Sequence, residues 1–386
     1  MRKFITIIKG NKKLLLLISL ARFIMSSSLR GIKGGKRKYP KVIQLPITYK
    51  CNSRCVMCNI WKMGSAHEAS INEFRIFLQD DIFKKVEAVG INGGEPTLLL
   101  NLVDYAEAIL ELPKIKSLNI ISNGFRTDIV LDKIESIYGA CKKKGVNFHV
   151  AFSLDGYTEI HNTVRGKDVF KRTTATIDKL ISNIGKYCDS YDLGCTIVKQ
   201  NVNYLIQLDE YCKKKNYNIK YRLGIDNKRI ESDKLRNQYS VIYSPLKQSA
   251  LEFFIYQLTQ TKELGKRFKY YAIMKWLSEQ NPKRLLGCIW KDEGITMDAR
   301  GDLYYCAVAS KNIGGLRHKK GEDIFFNPDN IKHRQEIISD NCDSCIHDYN
   351  GKVKLSSILT FLSDTFTEIY GNKLAMNLYK IKARLL

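Results

Sequence analysis

CNSRCVMC, residues 51–58, sets three cysteines at C-x3-C-x2-C. The stretch before it, VIQLPIT at 42–48, is apolar and partly β-branched and reads as a strand. The thiols therefore fall on the loop that leaves the strand. Three thiolates on one loop hold three irons of a [4Fe–4S] cube and leave the fourth iron open. An open position marks chemistry, by the logic that separates catalytic from structural zinc. Three buried cysteines on a helix, or zinc with an outside ligand, are the competing readings.

Working outward, the pattern alternates. A helix is predicted over 71–86 with Ser70 as its N-cap, then a strand over 88–91 ending at Gly93-Gly94. Helix 98–112, strand 116–121 ending at Ser122-Asn123-Gly124, and helix 128–144 closed by Gly145 follow. Strand 147–154, helix 170–186, strand 194–199, helix 204–215 and strand 218–225 complete the series. Six strands separated by crossover helices predict an α/β fold with a parallel sheet, either an open layer or a partial (β/α)6 barrel. In either form the site lies at the C-terminal strand ends. Cys51, Gly93, Ser122-Asn123 and Ser153 all stand at such ends.

Beyond Asp226 the rhythm breaks. Helices are expected over 248–260 and 269–280, a β-hairpin over 294–305 turning at 298–301, and loops over 311–330. A helical tail is expected over 355–386, interrupted at Gly371. The expected division is an N-terminal segment at 1–38, a core at 39–226, a helical connector at 227–287, a small α+β domain at 288–350, and the tail at 351–386.

The 386 residues carry a net charge of +24, unevenly spread. The first acid is Glu68, and 15 Lys/Arg precede it. A basic, apolar N-terminal segment predicts attraction to an anionic membrane surface; a solvated basic arm or a helix packed on the core is the plainer reading. Nucleic acid is not expected, because the charge is terminal and lacks interleaved aromatics. No apolar run is long enough to span a bilayer. Of the eleven cysteines, seven cluster at 51/55/58, 288, 306 and 342/345. That grouping argues for metal sites in a reducing, cytoplasmic setting, with any membrane contact peripheral at its inner face. Cys141, Cys188, Cys195 and Cys212 read as ordinary small apolar residues.

The cysteine loop after the first strand, Gly93-Gly94-Glu95-Pro96 after the second, Ser153-Leu-Asp-Gly156 with His161 and Arg165-Gly166 after the fourth, and Ile197-Val198…Asn201 after the fifth together resemble the radical S-adenosylmethionine (radical SAM) superfamily over residues 42–225. The resemblance implies that Cys51, Cys55 and Cys58 ligate a [4Fe–4S] cluster and that the open iron takes S-adenosylmethionine. It further implies that Met57 lies near the adenine and that the strand-edge backbone at Gly93 and Gly94 meets the methionine ammonium, with Glu95 and Pro96 in the same cofactor-binding motif. Ser122 and Asn123 would face the ribose or carboxylate, and Ser153 and Arg165 the carboxylate, with Asn201 nearby. Glu95 reads equally as an acid that stabilises the turn, and His161 reads as structural.

Cys288, Cys306, Cys342 and Cys345, in the arrangement C-x12-G-x4-C…C-x2-C, resemble the auxiliary-cluster extension of that superfamily. No cysteine follows Cys345, so the pattern is similar to the shorter "twitch" form rather than full SPASM, with one fully ligated second [4Fe–4S] cluster. Four thiols in two pairs also suit zinc.

The implied activity is reductive cleavage of S-adenosylmethionine and abstraction of a substrate hydrogen. The expected outcome is oxidation or epimerisation of a sugar, glycan or related small molecule, with a peptide or protein substrate as the alternative. A non-catalytic iron–sulfur or zinc scaffold is the remaining class. A flavodoxin or ferredoxin is the implied electron donor. Tyr221, Arg222 and Asp226 are candidate substrate contacts by position, and strand alternation turns one of Tyr221 and Arg222 outward.

Overall fold

The computed structural model describes residues 38–347, 349 and 351–369. The expected basic segment at 1–38 lies, but for Lys38, outside the described residues, as does the last part of the expected tail. No helix among the described residues is long and apolar enough to cross a membrane.

Among the described residues nine strands form one sheet in the order β6-β5-β4-β3-β2-β1-β7-β8-β9. They are β1 (Val42–Pro46), β2 (Ala88–Asn92), β3 (Ser117–Ser122), β4 (Asn147–Ser153), β5 (Ser190–Ile197), β6 (Ile219–Leu223), β7 (Gly294–Met297), β8 (Asp302–Tyr304) and β9 (Gly314–Gly315). β1 to β6 pair parallel in sequence order, with Val42 opposite Ala88 and Ser117 opposite Asn147. The crossovers carry helices α1 (Ile71–Leu78), α2 (Leu102–Ile109), α3 (Thr127–Lys144), α4 (Glu159–Arg165), α5 (Phe170–Ser182) and α6 (Leu205–Lys214). The α/β reading and the open, uncurtailed row of a partial barrel agree with this arrangement.

Alternation along the strands makes two unlike faces. Ile43, Leu45, Val89, Ile91, Leu118, Ile120, Phe148 and Val150 are buried under the helices. The residues between them, among them Gln44, Gly90, Asn119, His149 and Arg222, are half-exposed and mostly polar. A helix-covered apolar face and a wet inner face suit a sheet that holds a ligand on its open side.

Several boundaries differ from expectation for local reasons. The helix expected to run to 86 stops at Leu78, because the Asp80 side chain accepts from the Ile82 amide and caps a new turn over Asp81–Phe83. The strand expected at 194–199 begins at Ser190. The expected hairpin is present as β7 and β8, but β7 pairs parallel with β1, Val42 opposite Gly294, so it continues the main sheet.

The chain forms two compact units. The larger holds the whole sheet, over residues 38–249 and 290–342. The smaller holds 250–289 and the described residues from 343 onward, with helix α8 (Leu264–Ser278), most of α7 (Lys247–Gln260), and α9 (Leu355–Ile369). In it, Phe361 packs against Phe268 and Tyr271, with ring centroids 5.3 and 5.2 Å apart. This division differs from the expected break at 288, since the hairpin belongs with the core.

Candidate functional site: a cysteine loop at the carboxyl ends of the strands

The pairing of β1 with β2 runs on past both strands. The Ile47 amide donates to the Asn92 carbonyl at 3.0 Å, Gly94 to Thr48 at 2.7 Å, and Glu95 to Lys50 at 2.8 Å. A Cβ on Gly94 would stand 2.0 Å from the Lys50 carbonyl oxygen. One on Gly93, at φ +143°, would stand 2.5 Å from that of Thr48. The two glycines thus allow the backbone contact that delivers the chain to Cys51.

Glu95 is fully enclosed and acts as a hub. It accepts from the Thr97 hydroxyl at 2.6 Å, the Ser122 hydroxyl at 2.8 Å and the Asn123 amide at 2.8 Å. Burial pushes its carboxyl up, and these donors oppose that shift. Pro96 opens the short turn that follows. Asn123 carries the connection onward, its side-chain amide donating to Asn52 Oδ1 at 2.7 Å inside the cysteine loop. Glu95, Ser122 and Asn123 therefore brace the loop from β2 and β3.

From the other side the loop docks on the end of α4, a helix the sequence pattern did not reveal. The Arg54 and Val56 amides donate to the carbonyls of Arg165 and Val164 at 2.9 and 3.0 Å, and the Ser53 hydroxyl donates to Arg165 at 2.9 Å. Carbonyls left open at a helix C-terminus are satisfied by the cysteine loop itself. Gly166 ends the helix at φ +67°, and a Cβ there would stand 2.5 Å from the Arg54 carbonyl oxygen.

The Arg165 guanidinium is buried against the Asp155 carboxylate, and its Nη1 lies 3.5 Å from Cys55 Sγ. Burial works against its charge, but Asp155 and Cys55 outweigh that and hold it protonated. Asp155 also accepts from the Thr196 amide at 2.7 Å. Asn201 bonds the Asp155 carbonyl at 2.8 Å, the Thr196 carbonyl at 2.9 Å and the Val198 amide at 2.8 Å, so its amide group is committed to backbone. His161 Nδ1 accepts from the Asp155 amide at 3.1 Å, and burial pushes its pKa down to about 3. Ser153 is half-exposed at the end of β4, next to this network. Met57 packs on a cluster of Val164, Val198 and Tyr239.

Exposure separates the thiols into two groups. Cys51, Cys55, Cys58, Cys288, Cys306, Cys342 and Cys345 are all half-exposed, whereas Cys141, Cys188, Cys195 and Cys212 are buried. Burial raises Cys51 to about 11 and Cys58 to about 12. The amide two residues on donates to the sulfur at Cys51 (3.4 Å), Cys306 (3.3 Å) and Cys345 (3.5 Å). The Ser53 hydroxyl lies 3.0 Å from Cys55 Sγ. The three backbone N–H donors favour the thiolate and tune a bound cluster. Half-exposed cysteines with N–H partners suit iron–sulfur ligation. Among the described residues no three His, Cys, Asp or Glu side chains converge on a single-ion site.

Cys288 and Cys345 belong to the smaller unit, Cys306 and Cys342 to the larger. In the smaller unit one side chain joins the segments that carry the thiols. Arg284 Nε donates to Leu286, Nη1 to Cys345 and His347, and Nη2 to Gly287 and Tyr349, all to backbone carbonyls at 2.7–2.9 Å.

Among the substrate candidates, Tyr221 is fully buried and donates to Asp209 of α6 at 3.0 Å, so it faces the helix layer and not the site. Alternation leaves Arg222 on the inner face. Asp226 is committed to Arg236 and to the Tyr239 hydroxyl at 2.8 Å.

A parallel sheet whose first carboxyl end carries a three-thiol loop, braced by a Gly-Gly-Glu turn, defines the radical SAM architecture. Residues 45–208 match the Radical SAM superfamily profile, so this part of the chain carries a radical SAM domain. It is 28% identical over 212 residues to a GTP 3',8-cyclase of Clostridium perfringens, covering 51% of this chain and 57% of the relative. It is 30% identical over 173 residues to a probable GTP 3',8-cyclase of Archaeoglobus fulgidus, covering 43% and 51%. The chain thus spans about half the length of these curated relatives. Among solved structures, it is similar in fold to native anSMEcpe with bound AdoMet and Cp18Cys peptide (TM-score 0.52, 16% identity, 88% of this chain and 99% of that one). It is also similar to Streptococcus suis SuiB bound to the precursor peptide SuiA (TM-score 0.54, 16% identity, 77% and 67%).

Proposed function

We propose that this radical SAM enzyme abstracts a hydrogen from a sugar, glycan or related small molecule, giving net oxidation or epimerisation. The observation that carries the reading is the cysteine loop, with three half-exposed thiols held between the Gly93–Glu95 turn and the end of α4. Cys51, Cys55 and Cys58 would hold the [4Fe–4S] cluster, and Ser153 and Arg165 would lie beside the carboxylate of S-adenosylmethionine. When bound, the two cofactors supply the one-electron cleavage that begins hydrogen abstraction. The chain's own share is positioning. Glu95, Asn123, Asp155 and Asn201 fix the loop and the strand ends, and the helix-covered face excludes water from one side.

Cys288, Cys306, Cys342 and Cys345 would hold a second [4Fe–4S] cluster, which would accept an electron from the substrate and so favour oxidation. Roughly eight irons per anaerobically reconstituted chain support two cubes, and about four irons with one zinc support the metal alternative. A flavodoxin or ferredoxin would supply the first electron, and the basic N-terminal segment would hold the enzyme at an anionic membrane surface. Flotation of the full-length chain with anionic vesicles tests the last point.

The small-molecule reading draws on the nucleotide named for the curated relatives. A peptide substrate is the second reading, favoured by the peptides bound in both solved structures of similar fold. Incubation of the reconstituted chain with dithionite and S-adenosylmethionine should yield 5'-deoxyadenosine. No yield above background would sink the enzymatic proposal. Metabolites that accumulate in a deletion strain then separate a small molecule from a peptide.

A further inference from the structure

Arg229 lies in the short turn Lys228–Ile230 that follows β6. It is 9% exposed, and its Nε and Nη1 are shut from water with no hydrogen-bond partner. The turn is stitched to the site on two sides. Asn59, next to Cys58, donates to the Glu231 carbonyl at 3.0 Å, and the Lys228 amide donates to the Val308 carbonyl at 2.9 Å, two residues past Cys306. Ile230 packs with Tyr49, Ile60 and Ala299 in the cluster that Cys51 and Cys58 border. The Arg229 charge acts on Cys58, Tyr49 and Tyr304.

The acids around this turn are committed elsewhere. Asp298 Oδ2 accepts from the Tyr49 and Tyr304 hydroxyls at 2.6 and 3.2 Å, and its Oδ1 accepts from the Arg300 and Asp302 amides at 2.9 and 3.0 Å. Asp226 pairs with Arg236, and Glu231 with Lys234. Arg165, buried to the same degree, has Asp155. A guanidinium cannot shed its charge by deprotonation, and an unpaired buried charge is strongly unfavourable. Arg229 therefore lacks a counter-charge that the described chain does not supply.

We propose that Arg229 is an anion-binding residue of the site, taking a carboxylate or phosphate oxygen of a small molecule bound over the cysteine loop beside Cys58. The anion is either the carboxylate of S-adenosylmethionine or an acidic group of the substrate. The first source rests on the radical SAM reading. The anion subsite itself does not.

The test compares wild type with Arg229→Gln and with Lys214→Gln, which removes an exposed charge at the last residue of α6. Binding of S-adenosylmethionine and its decarboxylated analogue is read by equilibrium dialysis on iron-loaded chain, and protection by inorganic phosphate by hydrogen exchange. If the cofactor carboxylate is the anion, Arg229→Gln weakens S-adenosylmethionine by about tenfold or more, and wild type binds the decarboxylated analogue as weakly. If the substrate supplies it, cofactor affinity holds while phosphate slows exchange at 228–231 in wild type and Lys214→Gln but not in Arg229→Gln. Unchanged cofactor affinity together with equal phosphate protection in all three chains overturns the proposal. So does a variant that changes only the iron content or the cluster spectrum, since the charge then serves the cluster. Should Arg229→Gln fail to fold, metal-free wild type decides: absence of phosphate-dependent slowing at 228–231 refutes the subsite even if the radical SAM activity stands.

Discussion

Replacing Arg284 with alanine should remove the proposed second iron–sulfur centre and leave the first. The guanidinium makes five bonds to carbonyls, two on Leu286 and Gly287 just before Cys288, and three on Cys345, His347 and Tyr349. Leu286 and Gly287 are buried, so their carbonyls would lose a charged donor with little water to replace it. At about 1–3 kcal/mol for each buried group left unsatisfied, the two together cost roughly 2–6 kcal/mol. The other three sit on half-exposed residues and rehydrate, so they add little. The two segments cannot shift as a compensating unit. A Cβ on Gly287 would already stand 2.3 Å from the Gly351 backbone, and one on Gly351 2.4 Å from the Cys288 amide nitrogen. Arg284→Lys should rescue poorly, because a single ammonium cannot span five carbonyls. The assay is iron and sulfide per anaerobically reconstituted chain, with electron paramagnetic resonance of the reduced protein. Iron should fall from roughly eight to about four per chain, with the signal that responds to S-adenosylmethionine retained. An Arg284→Ala chain that keeps its full iron content refutes the clamp, and one that loses both centres shows that the effect is global unfolding.

Other substitutions separate positioning from ligation. Gly94→Ala should destabilise by about 3 kcal/mol or more, since its Cβ meets backbone and not a mobile side chain, and thermal denaturation by circular dichroism measures this. Asp155→Asn leaves Arg165 buried beside Cys55 without its counter-charge and should cost about 3–5 kcal/mol in urea unfolding, with no change if Arg165 finds another partner. His161, held near pKa 3 by burial, binds fewer protons folded than unfolded between pH 3 and 6.5. Its contribution is therefore complete above pH 6.5 and lost as pH falls toward 3. His161→Asn keeps an acceptor for the Asp155 amide and should flatten the decline in urea midpoint between pH 7 and 5; an unchanged slope contradicts the assignment.

Much of the fold was legible because the sheet is regular. Strands 88–92 and 117–122 alternate buried and half-exposed residues, and Gly145 closes α3 with φ +65°. The start of β5 was not legible, because Ser190 and Asp192 look like loop residues. Asp192 instead faces inward and pairs with His149 and Lys220, which hold its carboxyl down near 2 against the effect of burial. Helix α4 was hidden because its seven residues bury His161, Asn162 and Arg165, a polar set that gives no apolar stripe. No local signal announces that β7 will join β1, some 250 residues earlier in the chain. The cysteines, by contrast, divide by exposure as their spacing divided them: the seven clustered ones are half-exposed and the four isolated ones buried.

The motif residues divide by whether their polar atoms are already used. Gly94, Glu95, Ser122, Asn123 and Asn201 have theirs committed to the loop or to neighbouring strand ends. Under the proposed ligation their role follows from that: a cluster loop with one open iron would hold three sulfurs without a fourth to close the geometry, and the contacts from β2, β3 and α4 would supply the missing rigidity. Ser153 and Arg229 make no such commitment. They stand after β4 and after β6, one a hydroxyl and the other a charge. Residues that hold the loop should fail together, losing iron when altered. Residues that meet the ligand should keep iron and lose affinity, and that split, measured on the same preparations, assigns each residue without reference to which substrate is turned over.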